Sequence, residues 1–548
     1  MTQPIVISGN IVDVVAGRVF PGTVEIEQGR IARILPDDGS YDCFVIPGLI
    51  DAHVHIESSM LPPSEFARLA VAHGTVATLS DPHEIANVLG LSGIDYMLAN
   101  AATTPFKFHF GAPSCVPATG FESAGATLGV AEVEKLLADP RINHLSEMMN
   151  FPGVLHGDSE VAAKLALARA AGKPVDGHAP GLKGDAAARY IAAGISTDHE
   201  CFSLAEAREK IAYGMKVLIR EGSAAKNLAE LAPLLAEANS DCMLCSDDKH
   251  PDDLVQGHIN LLLRQAVCLG IDPMDALRSA TLNPVRHYHL NVGLLQAGDA
   301  ADLCIVDNLR DFNVLACRID GQLVAAAGKS LLSHRPAEPT NRFLAEAIMP
   351  ESLRIAAKGR QIRAIAAIEG QLVTRCELIP ASLEAGAAVS DPARDLLKIT
   401  VLNRYEARAM PALGFIRGFG LTRGAIASTV AHDSHNIVAV GASDAAMARA
   451  INALIEHKGG ICVVDGDAIS LLPLPIAGLM SNLPGEEVAA RYAALNAAAT
   501  ALGCPMHAPF MTLSFMALLV IPSLKLGDRG LFDGEKFAFT HLFAAEAV

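Results

Sequence analysis

The sequence predicts an α/β protein built around a (β/α)8 TIM-type barrel, with a small split β domain and an additional C-terminal α/β or α+β domain. Two observations predict it. From residue 45, a short β-branched or apolar run followed by a helical stretch recurs eight times in succession. Such alternation implies a parallel sheet, and eight units over roughly 200–250 residues are the count and length of a closed barrel. A doubly wound open sheet is the alternative. The second observation is that metal-binding side chains fall at the carboxyl ends of several runs, the face on which barrel active sites lie.

The predicted strands are Val45–Ile56, Thr75–Asp81, Phe106–Cys115, Ile142–Met149, Pro174–Ala179, Ile195–Glu200, Lys216–Glu221 and Asp241–Asp248. Their following helices are Pro63–His73, Glu84–Ala102, Val130–Ala138, Ser159–Ala171, Gly184–Ala193, Leu204–Tyr213, Ala224–Ala238 and Asp253–Leu269. The barrel domain therefore spans 45–290. The flanking residues read as short strands with turn punctuation, for example at Gly9-Asn10, Pro21-Gly22 and Gly298-Asp299. The pieces 1–44 and 291–335 are expected to pair into one small β domain. From 340 to 548 helices mix with strands such as Leu397–Leu402 and Ile461–Val464, a third domain.

Hydrophobic residues make up 51% and charged residues 19%, a globular rather than disordered balance. A net charge of -17 argues against a nucleic-acid partner, which would want a basic face. Eleven cysteines, an odd number without framework spacing, suit reduced thiols. Met1-Thr2-Gln3-Pro4 has no basic or apolar leader pattern, so a cytoplasmic protein is expected. The apolar run near Phe515–Leu524 is too short to cross a bilayer and carries Pro522, so no membrane partner is expected. A homo-oligomer is expected, since large barrel enzymes with extra domains often associate.

Strand 1 ends in His53-Val54-His55, strand 4 carries Glu147, strand 5 ends with His178, strand 6 with His199, and strand 8 in Asp247-Asp248. Residues i and i+2 on a strand share a side, so His53 and His55 can grip one ion together. Imidazoles and carboxylates suit zinc, manganese or iron. Glu147 can bridge two ions with its two oxygens. Six ligands (His53, His55, Glu147, His178, His199, Asp247) exceed the needs of one tetrahedral ion, which favours two divalent metal ions. Alternation sends Asp247 and Asp248 to opposite faces, and Asp247 is preferred as ligand. A lone His-x-His or strand-end acid is more often incidental or solvated; the joint pattern over five strand ends is what argues for a site.

At these residues the chain resembles a known family. Pro47-Gly48-Leu49-Ile50-Asp51-Ala52-His53-Val54-His55 looks like the strand 1 signature of the amidohydrolase superfamily. Ile56-Glu57-Ser58-Ser59-Met60, Asp81-Pro82-His83-Glu84-Ile85-Ala86-Asn87-Val88, Glu147-Met148-Met149-Asn150-Phe151-Pro152-Gly153-Val154, Asp176-Gly177-His178-Ala179-Pro180-Gly181, Thr197-Asp198-His199-Glu200 and Ser246-Asp247-Asp248 resemble the adenine deaminases. So does Ala431-His432-Asp433-Ser434-His435-Asn436 in the third domain. The resemblance implies a paired-metal barrel, with manganese or iron favoured, that converts the purine base adenine and water to hypoxanthine and ammonia. Hydantoinase-like relatives usually bridge their metals with a carbamylated lysine on strand 4, where this chain has Glu147.

On that reading, water activated by the metals attacks C6 and Asp247 moves its proton toward the leaving amine. Asp81, His83, Glu84 and Glu200 are candidates for protonating N1, with helix capping as the competing role; Asp81, just before Pro82, reads well as an N-cap. Glu84 and Glu200 are taken with Asp247 as catalytic candidates. Asp81, His83, Glu57, Ser59, His432 and His435 are taken as substrate-binding candidates. The segment His432–Asn436 either reaches over the barrel mouth or is a surface loop of turn-forming residues. Two enzymatic rivals compete with this reading. The single-zinc deaminase pattern of His-x-Glu with Pro-Cys-x-x-Cys fails, because Asp241 precedes Cys242 and His55-Ile56-Glu57 lies far away in sequence; Cys242 and Cys245 suit core packing. A cyclic-amide hydrolase on the same barrel is the nearer rival. A metal-free, non-enzymatic scaffold is the rival from another class.

Overall fold

Pro47 and Gly48 stand where the chain leaves one sheet for another. The predicted first strand is divided there: Phe44–Pro47 (β4) belongs to a flanking sheet and Leu49–Val54 (β5) opens the run of parallel strands. A Cβ at Gly48 would lie 2.4 Å from a Val76 methyl carbon, so glycine lets the chain cross at this point. The computed structural model describes residues 4–223 and 225–544. Met1–Gln3, and Ala224 at the start of the predicted seventh helix, lie outside the described residues.

The flanking sheet has eight strands. It joins β1 (Ile5–Asp13), β2 (Arg18–Glu27), β3 (Arg30–Pro36) and β4 to β13 (Leu303–Val306), β14 (Val314–Ile319), β15 (Gln322–Ala326) and β16 (Lys329–Ser330), in the order β16-β15-β14-β13-β4-β1-β2-β3. The β4–β13 pairing runs from Phe44–Val306 to Pro47–Leu303 and draws the two distant chain segments together.

Between them lie eight parallel strands. β5, β6 (Thr75–Ser80), β7 (Lys107–Ala112), β8 (Ile142–Met148) and β9 (Val175–Gly177) form one sheet in chain order; β10 (Thr197–Asp198), β11 (Lys216–Arg220) and β12 (Cys242–Cys245) form another. Ser196 N donates to Val175 O (2.8 Å) at one seam. At the other, Val54 bridges Asp247, and Asp247 N donates to His53 O (2.9 Å). β5, β6 and β12 are buried along their whole length, the mark of strands covered on both faces. Cys242 and Cys245 are buried in this core. The predicted sixth strand is reduced to two residues, and the predicted seventh helix is broken at Pro233 into Leu228–Leu231 and Leu234–Glu237.

The C-terminal region is richer in strands than the sequence suggested. A second eight-stranded sheet is antiparallel except where Gln361–Ala366 meets Ala412–Arg417, and it includes Leu397–Leu402, Ala425–Ser428, Ile437–Gly441 and Gly460–Asp465. The helices Asp444–Glu456 and Gly485–Ala501 pack on it. This region seats on the parallel strands' carboxyl end: Ser481 N donates to Met60 O (2.8 Å), Gly485 N to Glu65 Oε2 (2.9 Å) and Asn436 Nδ2 to Ser123 O (2.9 Å). Among the described residues no helix is long and apolar enough to cross a membrane.

Candidate metal centre

The carboxyl ends of the parallel strands bring His53, His55, His83, Glu147, His199, Glu200 and Asp247, all buried, and the half-buried His178 into one cluster. Glu147, at the end of β8, stands at its middle. Its Oε1 is 3.5 Å from His55 Nε2 and 3.5 Å from His83 Nδ1. Its Oε2 is 2.9 Å from His178 Nδ1 and 3.2 Å from His199 Nε2. Each oxygen thus faces a different pair of imidazoles. Asp247 Oδ1 lies 3.4 Å from His53 Nε2 and 3.3 Å from His55 Nε2. The His53 and His199 rings stack at 4.1 Å.

This donor set fits metal ions. His53 Nε2 is buried with no hydrogen-bond partner and aims at the cluster. His55 Nδ1 donates to the Asp81 carbonyl (3.2 Å), leaving Nε2 as the lone-pair donor on the cluster side. The ligating atoms of His53, His55 and Asp247 lie within 4.8 Å of one another, as do those of His53, Glu147 and His199. Burial alone would lower the His55 pKa, but the Asp247 and Glu147 carboxylates hold it well above the usual imidazole value. His199 is likewise pushed up to about 9, against its burial, by Asp247 and Glu147. Carboxylates that hold protons on imidazoles this way will hold a divalent cation in their place.

Asp247 and Asp248 both line the pocket, which corrects the expected split between them. β12 ends at Cys245, and Asp247 has φ of 55°, so strand alternation does not extend to this pair. Asp248 Oδ1 accepts from Ser58 Oγ (2.5 Å), and burial beside Asp247 raises its pKa.

Of the other candidates, His83, Glu84, Glu200 and His432 line the pocket. Glu84 is gripped from the C-terminal region by His432 Nδ1 and His435 Nε2, and His432 stacks on Phe515 at 4.6 Å. The segment 432–436 therefore reaches the carboxyl end of the parallel strands. Asp81 does not line the pocket but offers an oxygen within 4.8 Å of ligand atoms of His55, His83 and Glu147; its Oδ1 accepts from His83 N (3.1 Å) and its Oδ2 from His83 Nδ1 (3.0 Å). Glu57 and Ser59 turn away from the pocket: Glu57 Oε1 accepts from Ile85 N (3.1 Å), and Ser59 Oγ donates to Ile56 O (2.6 Å). Both are buried in a 3-10 turn after β5, Ile56–Ser59. His435 likewise backs Glu84 without facing the cavity.

Arg220, Asp248 and Asp433 line the pocket although the sequence pattern did not mark them as ligands or catalytic groups. Arg220 was legible as a charged residue at the carboxyl end of the seventh run. Opposite the polar floor, Leu372, Phe515, Leu518, Val520 and Ile521 form an apolar wall. Lys525 stands behind that wall, fully buried, donating to Leu372 O (2.6 Å) and Phe515 O (2.8 Å). Its partners are carbonyls, and burial drives its pKa down from 10.5 to about 7. Because the unfolded chain binds this proton more tightly, the folded state loses stability as pH falls from about 10 toward 7, and below 7 the loss is complete. Lys525→Met should therefore gain thermal stability relative to the parent at pH 6.5, with the gain shrinking by pH 9. A difference in melting temperature that stays constant over that range would refute the assignment.

A family model described as "Adenine deaminase C-terminal domain" matches residues 371–538, and one described as "Amidohydrolase family" matches residues 44–328. An adenine deaminase from Salinibacter ruber is 54% identical over 538 residues, covering 98% of this chain and 98% of the relative. One from Sulfurovum sp. is 54% identical over 534 residues, with 97% and 98% coverage. The chain belongs to the adenine deaminase family. A further member of the family, from Methanosarcina mazei, is 52% identical over 551 residues, with 98% and 99% coverage. The match to these adenine deaminases includes the strand-rich C-terminal region as well as the parallel strands.

Proposed function

We propose that this protein is a metal-dependent aminohydrolase that converts adenine and water to hypoxanthine and ammonia. The scaffold in this reading is a closed (β/α)8 barrel over 45–290, a split β domain from 1–44 and 291–335, and a covering domain from 340–548. The observation that carries it is Glu147, whose two oxygens face separate imidazole pairs. His53, His55 and Asp247 would hold one divalent ion, His178 and His199 the other, and Glu147 both. Manganese or iron is our reading for the pair, although the same donors accept zinc. Bound divalent cations supply Lewis acidity that brings the pKa of water toward neutrality.

The chain's own groups then handle protons and orientation. Water adds to purine C6, and Asp247 Oδ1 takes its proton and passes it to the departing amine. N1 must gain a proton as C6 becomes tetrahedral. Both oxygens of Glu84 are engaged by His432 and His435, both of Glu200 by Arg220, and both of Asp81 by His83. His83 lines the pocket, its Nε2 3.7 Å from Glu84 Oε1, and is the donor this arrangement leaves available; it recovers its proton from the C6 hydroxyl as the C6–N bond breaks and the carbonyl forms. The apolar wall from Phe515 to Ile521 covers the ring and keeps bulk water out.

The test is ammonia release from a panel of free bases, nucleosides and dihydropyrimidines, with each metal supplied separately. Adenine should turn over and dihydropyrimidines should not. Rapid turnover of adenosine without adenine would overturn the substrate; well under one ion per chain in the active preparation would overturn the metal reading.

A further inference from the structure

Arg220 closes β11 with its side chain at the pocket, 3% exposed. Its Nη1 donates to Glu200 Oε1 (2.5 Å) and to Asp247 Oδ2 (2.7 Å), and its Nη2 donates to Glu200 Oε2 (2.8 Å). The Glu200 contact is a bidentate fork, a geometry that needs a planar guanidinium and that lysine cannot reproduce. The contact to Asp247 takes only one oxygen. Asp247 Oδ1 is left for His53 and His55, at 3.4 and 3.3 Å. Asp247 also stands in the left-handed backbone region, at φ 55°, which aspartate enters more readily than most side chains, and its surroundings fix it there. Those surroundings are two backbone bonds, from Asp247 N to His53 O and from His55 N to Asp247 O, together with the guanidinium.

We propose that Arg220 is a positioning residue for the deamination: its guanidinium fixes which oxygen Asp247 turns to the imidazoles of β5 and holds Glu200 as a fixed carboxylate beside His178 and His199. Arg220 does not touch the reacting atoms in this arrangement. It acts through Asp247 and Glu200, one shell out from the ions, where partners of metal ligands commonly contribute about 10- to 100-fold to affinity or rate. The inference rests on the function proposed above for the rate measurement alone; its metal-release measurement needs no substrate.

Arg220→Lys keeps the charge and removes the fork. Its kcat for adenine should fall by about 10- to 100-fold, with KM changed much less, and its bound metal should pass to a chelator about 10-fold faster than from the parent protein. Arg220→Ala should lose more activity, and added guanidinium ion should restore some of it, an effect that repair of general stability would not produce. A lysine variant with parental kcat and parental metal release would overturn the proposal. So would a folded alanine variant whose lost activity guanidinium cannot restore. If the parent protein fails to deaminate adenine, the proposed function falls, and the chelator measurement still decides whether Arg220 holds Asp247 in place.

Discussion

Exchanging Glu147 for glutamine should strip at least one metal equivalent from each chain and slow ammonia release by about 10³-fold or more, about 4 kcal/mol in barrier height. Glutamine keeps the shape of the side chain, so little packing is lost. It replaces one carboxylate oxygen with an amide nitrogen, which donates hydrogen bonds and offers no lone pair to an ion. Whichever way the amide turns, one pair of imidazoles, His55 with His83 or His178 with His199, faces that nitrogen in place of an anionic oxygen. The two sets are then no longer tied by one anion. Glu147→Ala should lose metal at least as completely, and comparison of the two separates ligand chemistry from cavity formation. Metal content of the purified variants against the parent is the deciding measurement. Unchanged metal content in the glutamine variant would end the bridging role, whatever happened to the rate.

The strand-end residues of this cluster were legible because short-range rules suffice for them. Thr75–Ser80, Ile142–Met148 and Cys242–Cys245 are local apolar runs, and the ligand-type residues follow from where such runs stop. Other features escaped for physical reasons. The break at Gly48 depends on a close approach to Val76 from another strand. The placement of Asp248 depends on one backbone dihedral, at Asp247, that periodicity does not encode. The grip of His432 and His435 on Glu84 joins residues 348 and 351 positions apart, across two regions of the fold. Glu57 and Ser59 sit next to His55 in sequence, yet a single 3-10 turn rotates them out of the cavity. Nearness in sequence to a ligand is a weak guide once regular structure ends.

The same long-range logic makes Lys210→Met the largest expected change in stability. Lys210 lies in the helix Leu204–Ala212 with its side chain fully buried. Its Nζ donates to Asp198 Oδ2 (2.5 Å), Glu206 Oε1 (2.8 Å) and Ala179 O (2.8 Å). Asp198 Oδ1 accepts from Glu200 N (3.0 Å), and Glu206 Oε1 accepts from Gly181 N (3.0 Å). One ammonium therefore ties together the segments that carry His178 and His199. Methionine fills much of the same volume and leaves two buried carboxylates without their cation, which should destabilise the fold by about 3–5 kcal/mol. The sign with pH follows from Asp198. Burial would raise its pKa, but Lys210 holds it below the usual value, so in the parent protein its contribution is present above about pH 4 and is lost as pH falls through the folded pKa. Without Lys210, burial dominates and the carboxylate resists ionisation. The gap between parent and variant in denaturant midpoint should therefore widen from pH 5 to pH 8. Adding Asp198→Asn to the methionine variant should recover some of the loss, because the amide can be buried uncharged. A gap below about 0.5 kcal/mol, the size of an ordinary surface change, or one that narrows with rising pH, would mean that water or another cation compensates these carboxylates and that the strand ends bearing His178 and His199 are held by their packing alone.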